Sequence, residues 1–368
     1  MPKRKTSDKE LEAQVEATLD LLQSAKKQTV IELSQHRIEL SNLSKVLFPG
    51  DGSSPEVTKR DYLIYLCKMA PELLRHLHNR PLTIIRYPDG VLGKRFFQKH
   101  WMHKLPPFVE TVTYFSEQND GDKDYLLCNN LATLMWLGQI AALELHTVHS
   151  RYDQYPDGKS HSMEVTGSAE IIEASILNYP DYLILDLDPY LYSGKEKEGD
   201  EPELHKKGFA KTCKAAHTIK EILASMNLES VYLKTSGKTG LHVYIPVIRN
   251  CTNEELRAFA GTIGKHLVSM QPKEITIEWS VKKRTGKVFF DHNMNARAKT
   301  LPSPYSTRNS VYATVSTPIS WDELDHIYPT DFTVLSLPDR VAKKGDLWID
   351  ILENKTNLRH LFNKKSLA

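Results

Sequence analysis

Residues 179–190, YPDYLILDLDPY, are apolar at nearly every position yet carry Asp186 and Asp188 close to their end. A short, continuous run of Leu and Ile fits a strand buried on both faces, the middle strand of a covered sheet. Side chains alternate along a strand, so Tyr182, Ile184, Asp186 and Asp188 share one face and Leu183, Leu185 and Leu187 the other. Two carboxylates so placed repel each other unless something positive lies between them. A divalent cation such as magnesium or manganese, which takes oxygen ligands, meets that need. Pro189 is expected to end the strand and leave the pair at a rim. The plainer alternative is a strand end with two solvated acids, and D-x-D recurs by chance in a chain with 46 Asp and Glu. The rest of the sequence has to decide.

Three other stretches bear on that choice. In KTSGKTGLHVYIPV, Ser236, Gly237, Lys238 and Gly240 form a glycine-rich turn between two strands, with His242 opening the second. Glycines let backbone amides turn toward an anion, and Lys238 adds charge; an ordinary hairpin is the alternative. In KVFFDHNMNARAKT, Asp291 stands at a strand end, followed by Asn295, Arg297, Lys299 and, further on, Arg308. Residues 273–308 hold eight Lys or Arg against three acids. An acid for metal beside bases for phosphate suits phosphoryl transfer. In RYPDGVLGKRFFQKHWMHK, bases alternate with Tyr87, Phe96, Phe97 and Trp101, a pattern suited to nucleic acid. The plainer alternative is that one of Phe96 and Phe97 is a core residue, since on a strand only one can face each side; at least one of the two is expected to be exposed.

The formal net charge is only +2, so these basic patches are local. The 368 residues allow about two domains or one two-lobed body. Four isolated cysteines suit a reducing cytosol and form no C-x-x-C zinc or redox pair. No apolar run is long enough to span a membrane, and the basic N-terminus PKRK reads as a solvated tail.

Ser7 and Glu10 have capping-box spacing, and residues 8–27 are predicted as an amphipathic helix. Thr58 and Asp61 open a second, running to about residue 77 with a kink at Pro71. ATLMWLGQIAALELH is read as one buried helix ending near His146, where His146 and His149 would act as caps. RYDQYPDGKSHS is read as a surface loop, and 193–203 as a charged mobile loop. Residues 205–226 and NEELRAFAGTIGKHLVSM are predicted helices. SVYLK, LHVYIPV, ITIEW and KVFFD are predicted strands. TPISWDEL is read as a loop entering a helix, and 347–362 as a final helix. Strands and helices mix without a regular βαβ beat, which predicts an α+β fold.

Together, LSNLSKVLFP, TKRDYLIYL, NRPLTIIRYPDG, FFQKH, AALELH, LILDLDP, KTSGKTGLHVYIPV, FFDHNMNARAKT, PYSTR and VSTPISWDEL resemble a family. It is the stand-alone or ligase-D-linked polymerase domain of prokaryotic non-homologous end joining, in the archaeo-eukaryotic primase superfamily. The resemblance runs from about residue 38 to 350. It implies a two-lobed primase-like fold with an RRM-like catalytic sheet. The domain plan would be an N-terminal helical extension (1–30), the polymerase domain (31–350), and a C-terminal helix and tail (351–368).

The resemblance also implies residue roles. Asp186, Asp188 and Asp291 would be the catalytic carboxylates that hold two manganese or magnesium ions. Ser236, Lys238 and His242 would grip the triphosphate, with Lys299 and Arg308 as further phosphate contacts and His146 near the incoming nucleotide. Lys45 and Lys59 would recognise a 5′-phosphate at a downstream DNA end, and Phe96 and Phe97 would stack on template bases. The implied partners are broken or gapped DNA, nucleoside triphosphates, a separate DNA ligase and a Ku protein, in the cytoplasm. A preference for ribonucleotides comes with the family. The N-terminal helix and the extended segments 150–165 and 193–204 depart from it, and the long loop between Lys45 and Lys59 bears on whether those two can act together.

Three other functions compete. A primase of replication or of a mobile element would start strands unprimed. A non-catalytic DNA-end scaffold would bind DNA without turnover. A D-x-D glycosyltransferase would have no DNA affinity and no use for Asp291 and its basic tail.

Overall fold

The computed structural model describes residues 4–190 and 204–362, with side chains from residue 9 onward at the N-terminus. The charged loop 193–203 and the side chain of Ser7 lie outside the described residues. The fold is mixed α and β, in two compact, sequence-discontinuous units. The first comprises Met1–Thr147, Pro302–Val315 and Phe332–Asp346; the second comprises Val148–Leu301, Ser316–Asp331 and Leu347–Ala368.

In the first unit, the N-terminal helix spans Arg4–Ser24, so Ser7 falls inside it rather than capping it. Its Leu22 is fully buried. Thr58 caps helix Lys59–Lys68 in a full capping box with Asp61. The predicted kink is a break: Met69 ends that helix, and Pro71 sits in the first turn of Ala70–Leu77. Proline is tolerated there because a first-turn N–H has no helical partner. A sheet runs in the order Ala142–Val148, Leu82–Arg86, Gly121–Leu127, Glu110–Ser116, with Phe96–Gln98 also paired to Leu82–Arg86.

One predicted element is two. The helix in ATLMWLGQIAALELH is only Leu131–Gln139, capped by Asn130. Ala141 then takes φ +54°, and Ala142–Val148 is a strand. Burial on both faces of that strand erased the alternation that would have revealed it. His146 is therefore a strand residue, not a helix cap.

The second unit is built on a six-stranded sheet in the order Ile275–Thr276, Lys287–Asp291, Tyr182–Tyr190, Leu241–Pro246, Tyr232–Thr235, Pro318–Ile319. The last strand lies where the sequence reading had a loop. Helices Lys206–Ser225 and Asn253–Met270 pack against the central strand. Gly264 brings the second helix so close to Phe290 that a Cβ would lie 2.8 Å from the ring. Phe290 pairs with Leu187, so this helix covers the leucine face and leaves the carboxylates on the other.

On the carboxylate face, Tyr182, Ile184 and Tyr244 pack with Trp348 and Ile351. That packing explains the failed helix at 347–362. The i, i+3 spacing of Trp348 and Ile351 is met by turns, and only Arg359–Phe362 is helical. Pro189 does not end its strand either, because it pairs with Val288. The ladder to Leu241–Pro246 stops at Leu187, so beyond it that edge needs no N–H from a proline.

The segment read as a surface loop is tied inward. Arg151 and Lys355 bind Asp181 at 2.9 and 2.8 Å, and Arg249 binds Asp157 at 2.9 Å. Asp181 and Arg249 are buried, and buried charges persist only when paired.

Candidate active site and nucleic-acid interface

Strand register puts four side chains in one line across the second unit's sheet. Asp291 pairs with Asp186, Asp186 with His242, and His242 with Lys234. Paired residues on adjacent strands face the same way, so Asp291, Asp186, His242 and Lys234 form a row, with Asp188 one step along. Like charges directly opposite each other destabilise a sheet. Here Asp186 is almost wholly buried and Asp291 partly so. Burial pushes the Asp291 carboxyl above its ordinary value, although the Asn293 amide and the charges of His292, Lys299 and Arg284 oppose the shift.

Lys234 was not singled out from the sequence. Its ammonium is fully buried, 2.8 Å from His242 Nδ1 and 2.6 Å from Ser316 Oγ. Ser316 gives its own proton to the Thr235 carbonyl, so its oxygen accepts from Lys234. Lys234 as an ammonium can only donate, which would make His242 Nδ1 the acceptor and leave its proton on Nε2. That nitrogen lies 3.3 Å from Asp186 Oδ1. Lys234 thus sets the tautomer and the direction of His242. Arg284, also missed, stacks over Phe289 at 3.4 Å and lies within the fields of Asp291 and Asp188.

The glycine-rich turn is organised by Ser236. Its Oγ accepts from the Lys238 and Gly240 amides, each at 3.1 Å, and Gly237 takes φ +77°. Gly240 leaves room for a carboxylate: a Cβ there would lie 2.5 Å from Asp188 Oδ1. Lys238 is half-buried at the turn, and Lys299 is exposed after Asp291. Asn295 has a structural duty. Its amide donates to the Ile184 carbonyl at 2.7 Å and accepts from the Ile184 N–H at 2.9 Å, extending the ladder where Lys287–Asp291 ends. His149, predicted as a cap, is buried and bonded to the Met294 carbonyl at 2.9 Å.

Three carboxylates on one face, two of them directly opposed, beside a glycine that leaves them space, are oxygen donors of the kind a hard divalent cation takes. Among the described residues, no three His, Cys, Asp or Glu side chains close on a common point as they stand. A cation would have to draw the carboxylates together by side-chain rotation.

His146 and Arg308 lie in the first unit and meet there on Glu144, which the sequence reading missed. Arg308 Nε is 2.8 Å and His146 Nε2 3.2 Å from Glu144 Oε2, and Tyr87 donates to Oε1 at 2.7 Å. Burial works against the Glu144 charge. Arg308, His146 and Tyr87 outweigh it and hold the carboxyl well below its usual range. The period-two spacing of Glu144 and His146 was the available signal, hidden by the helical reading.

Lys45 and Lys59 also lie in the first unit. The long loop between them does not separate them: Val46 pairs with Thr58, and the Lys59 amide donates to the Lys45 carbonyl at 2.8 Å. Lys59 is buried, which together with the Lys45 charge brings its ammonium down to about 8. Lys45 binds the exposed Asp89 at 2.7 Å. The next residue, Arg60, caps the N-terminal helix, donating to the carbonyls of Leu22, Ala25 and Lys26. Phe96 and Phe97 are both exposed, at 41% and 64%, as expected of at least one of them, and the alternative of a core phenylalanine falls. Lys94 lies over the Phe96 ring at 5.1 Å.

No described helix is long and apolar enough to cross a membrane. Residues 58–348 match the family described as LigD, primase-polymerase domain. The chain is 29% identical over 341 residues to the bifunctional non-homologous end joining protein LigD of Bacillus subtilis (strain 168), across 90% of this chain and 47% of that one. It is 30% identical over 314 residues to the multifunctional non-homologous end joining DNA repair protein LigD of Mycobacterium tuberculosis, across 85% of this chain and 37% of that one. The chain therefore spans less than half the length of these curated relatives. The solved polymerase domain of Mycobacterium tuberculosis Ligase D, in complex with DNA, superposes with a TM-score of 0.71 at 28% identity, covering 87% of this chain and 99% of that one.

Proposed function

Because the chain belongs to the LigD primase-polymerase domain family, we propose that it is a template-directed nucleotidyltransferase that fills gaps or extends 3′ ends at DNA double-strand breaks. The observation that carries this reading is the row Asp291–Asp186–His242–Lys234 with Asp188 beside it. In this reading the second unit's sheet is the RRM-like catalytic sheet of a two-lobed primase-like fold. Residues 31–350 are the polymerase domain, 1–30 a helical extension, and 351–368 a C-terminal helix and tail.

Asp186, Asp188 and Asp291 would hold two manganese or magnesium ions, which would supply activation of the primer 3′-hydroxyl and neutralisation of the triphosphate and departing pyrophosphate. His242, its Nε2 3.3 Å from Asp186 Oδ1 and its ring held by Lys234, contacts the triphosphate beside that carboxylate. Lys238, Lys299 and Arg308 offset phosphate charge. Ser236 shapes the turn that carries Lys238, and His146, positioned by Glu144, contacts the incoming nucleotide. Lys45 and Lys59 grip a 5′-phosphate, and Phe96 and Phe97 stack on template bases. Ribonucleotides are preferred, and a DNA ligase and a Ku protein act with the chain in the cytoplasm. The opposed carboxylates disfavour the scaffold reading, which has no use for them.

The test is extension of a primed, gapped DNA with ribo- or deoxyribonucleotides and manganese, with and without a 5′-phosphate on the downstream strand. Incorporation that favours ribonucleotides and depends on the 5′-phosphate is expected. Binding without incorporation would overturn the reading in favour of a scaffold, and extension without a primer would favour a primase.

A further inference from the structure

A second aromatic feature follows Phe96 and Phe97 and has no role in the scheme above. Trp101 and Trp136 meet edge to face, with centroids 5.2 Å apart and planes at 72°, and so make an aromatic corner. They line a cavity of about 510 Å³ with Arg86, Lys104, Pro106 and Ile140. The space is a groove open to solvent, as a stacking platform for a continuous strand is.

The charge around it has one sign. The cavity lining contains Arg86, Lys104 and His103 and no acid. Residues 91–109 hold four Lys or Arg and neither Asp nor Glu. Arg86 is set in place, donating to the Ile140 carbonyl at 3.0 Å and to Gln98 Oε1 at 3.2 Å. It also pairs in register with Phe96, so the cavity wall and the exposed phenyl rings belong to one ladder. The Trp101 indole N–H meets no acceptor among the described residues. Aromatic surface for a base, basic side chains for a phosphate and continuity with exposed stacking residues together describe a single-strand track.

We propose that this cavity seats a base of single-stranded nucleic acid, the template strand beyond the nucleotides that Phe96 and Phe97 contact. The proposal rests on the DNA-directed reading above and adds a second stacking station to it. The base lies in the corner of Trp101 and Trp136, and Lys104 meets its phosphate. Affinity then rises with the length of the single-stranded template overhang until the strand reaches the cavity.

The test compares binding of the full chain to primed DNA with short and long template overhangs, by fluorescence anisotropy. Trp101→Ala is the main variant; Trp101→Leu and Lys104→Ala serve if the first fails to fold. The wild type should gain affinity on lengthening the overhang, and each folded variant should lose that gain, a loss of about tenfold on the long overhang, the scale of one lost base stack. An unchanged gain in folded variants would overturn the proposal and leave the cavity to a protein segment. Failure of the wild type to bind either DNA would instead defeat the DNA-directed reading itself, so the two failures are distinguishable.

Discussion

The second unit's carboxylate row and the first unit's lysine and phenylalanine surface solve different problems with different structure. The row lies on four hydrogen-bonded neighbouring strands, and its position is fixed by backbone register. Its acids are buried or half-buried, and its histidine is held by a buried lysine. The other surface lies on short ladders, Val46–Phe48 with Val57–Thr58, and Phe96–Gln98 at a sheet margin. Its aromatic rings stand in solvent, and Lys45 is partly exposed. Chemistry at a reacting phosphate needs groups held to within a fraction of an ångström. Recognition of a strand and its end tolerates looser, solvent-facing contacts.

That contrast can be broken by substitution. The largest effect should come from Asp188→Ala: nucleotide incorporation falls about a thousandfold, the scale of losing a group that stabilises transition-state charge, while DNA binding is kept. Normal turnover would remove Asp188 from the site. Glu144→Ala in the first unit should lower unfolding stability by about 3 kcal/mol, because it leaves the buried Arg308 charge without its carboxylate. Chemical denaturation measures this, and a change within error would mean that Arg308 relaxes into water.

Lys234→Met separates holding a group from being one. Incorporation should fall by about 10- to 100-fold, as when a supporting hydrogen-bond partner is lost. The defect should appear in kcat and in nucleotide KM, Lys234→Arg should recover part of it, and DNA affinity should not move. Equal activity in Lys234→Met would show that His242 is aligned without it.

On the recognition surface, Lys45→Ala or Lys59→Ala should weaken binding to 5′-phosphorylated ends about tenfold, as for a lost charge-assisted hydrogen bond. An equal loss on unphosphorylated DNA would make the pair a general basic patch. The smallest effect is one of pH. Lys59 is charged below about 8 and neutral above it, so preference for the 5′-phosphate should fade as pH rises through about 8. A preference that is flat across that range would place Lys59 outside the contact.

How much of this was legible in the sequence depends on where periodicity survived. YLILDLDP gave both the strand and the face of Asp186 and Asp188, because alternation holds within a strand whatever its neighbours. The meeting of Asp186 with Asp291 and His242 depends on register between distant segments, and came only from resemblance. Lys234 was hidden because a buried lysine is indistinguishable in sequence from an exposed one. Glu144 was lost with the strand misread as helix, where apolar residues on both faces removed the period. Arg60, one residue from a predicted contact, shows its role only once the N-terminal helix ends against it. Lys45 and Lys59 are neighbours across a long loop because Val46 pairs with Thr58 and Phe48 with Val57, whatever the loop length.

Whether the carboxylate row is a cation-binding catalytic site is read out by a manganese titration by electron paramagnetic resonance with a non-hydrolysable nucleoside triphosphate present. About two ions should bind per chain, and folded Asp186→Asn should lose that binding. Manganese binding unchanged in Asp186→Asn would contradict that assignment.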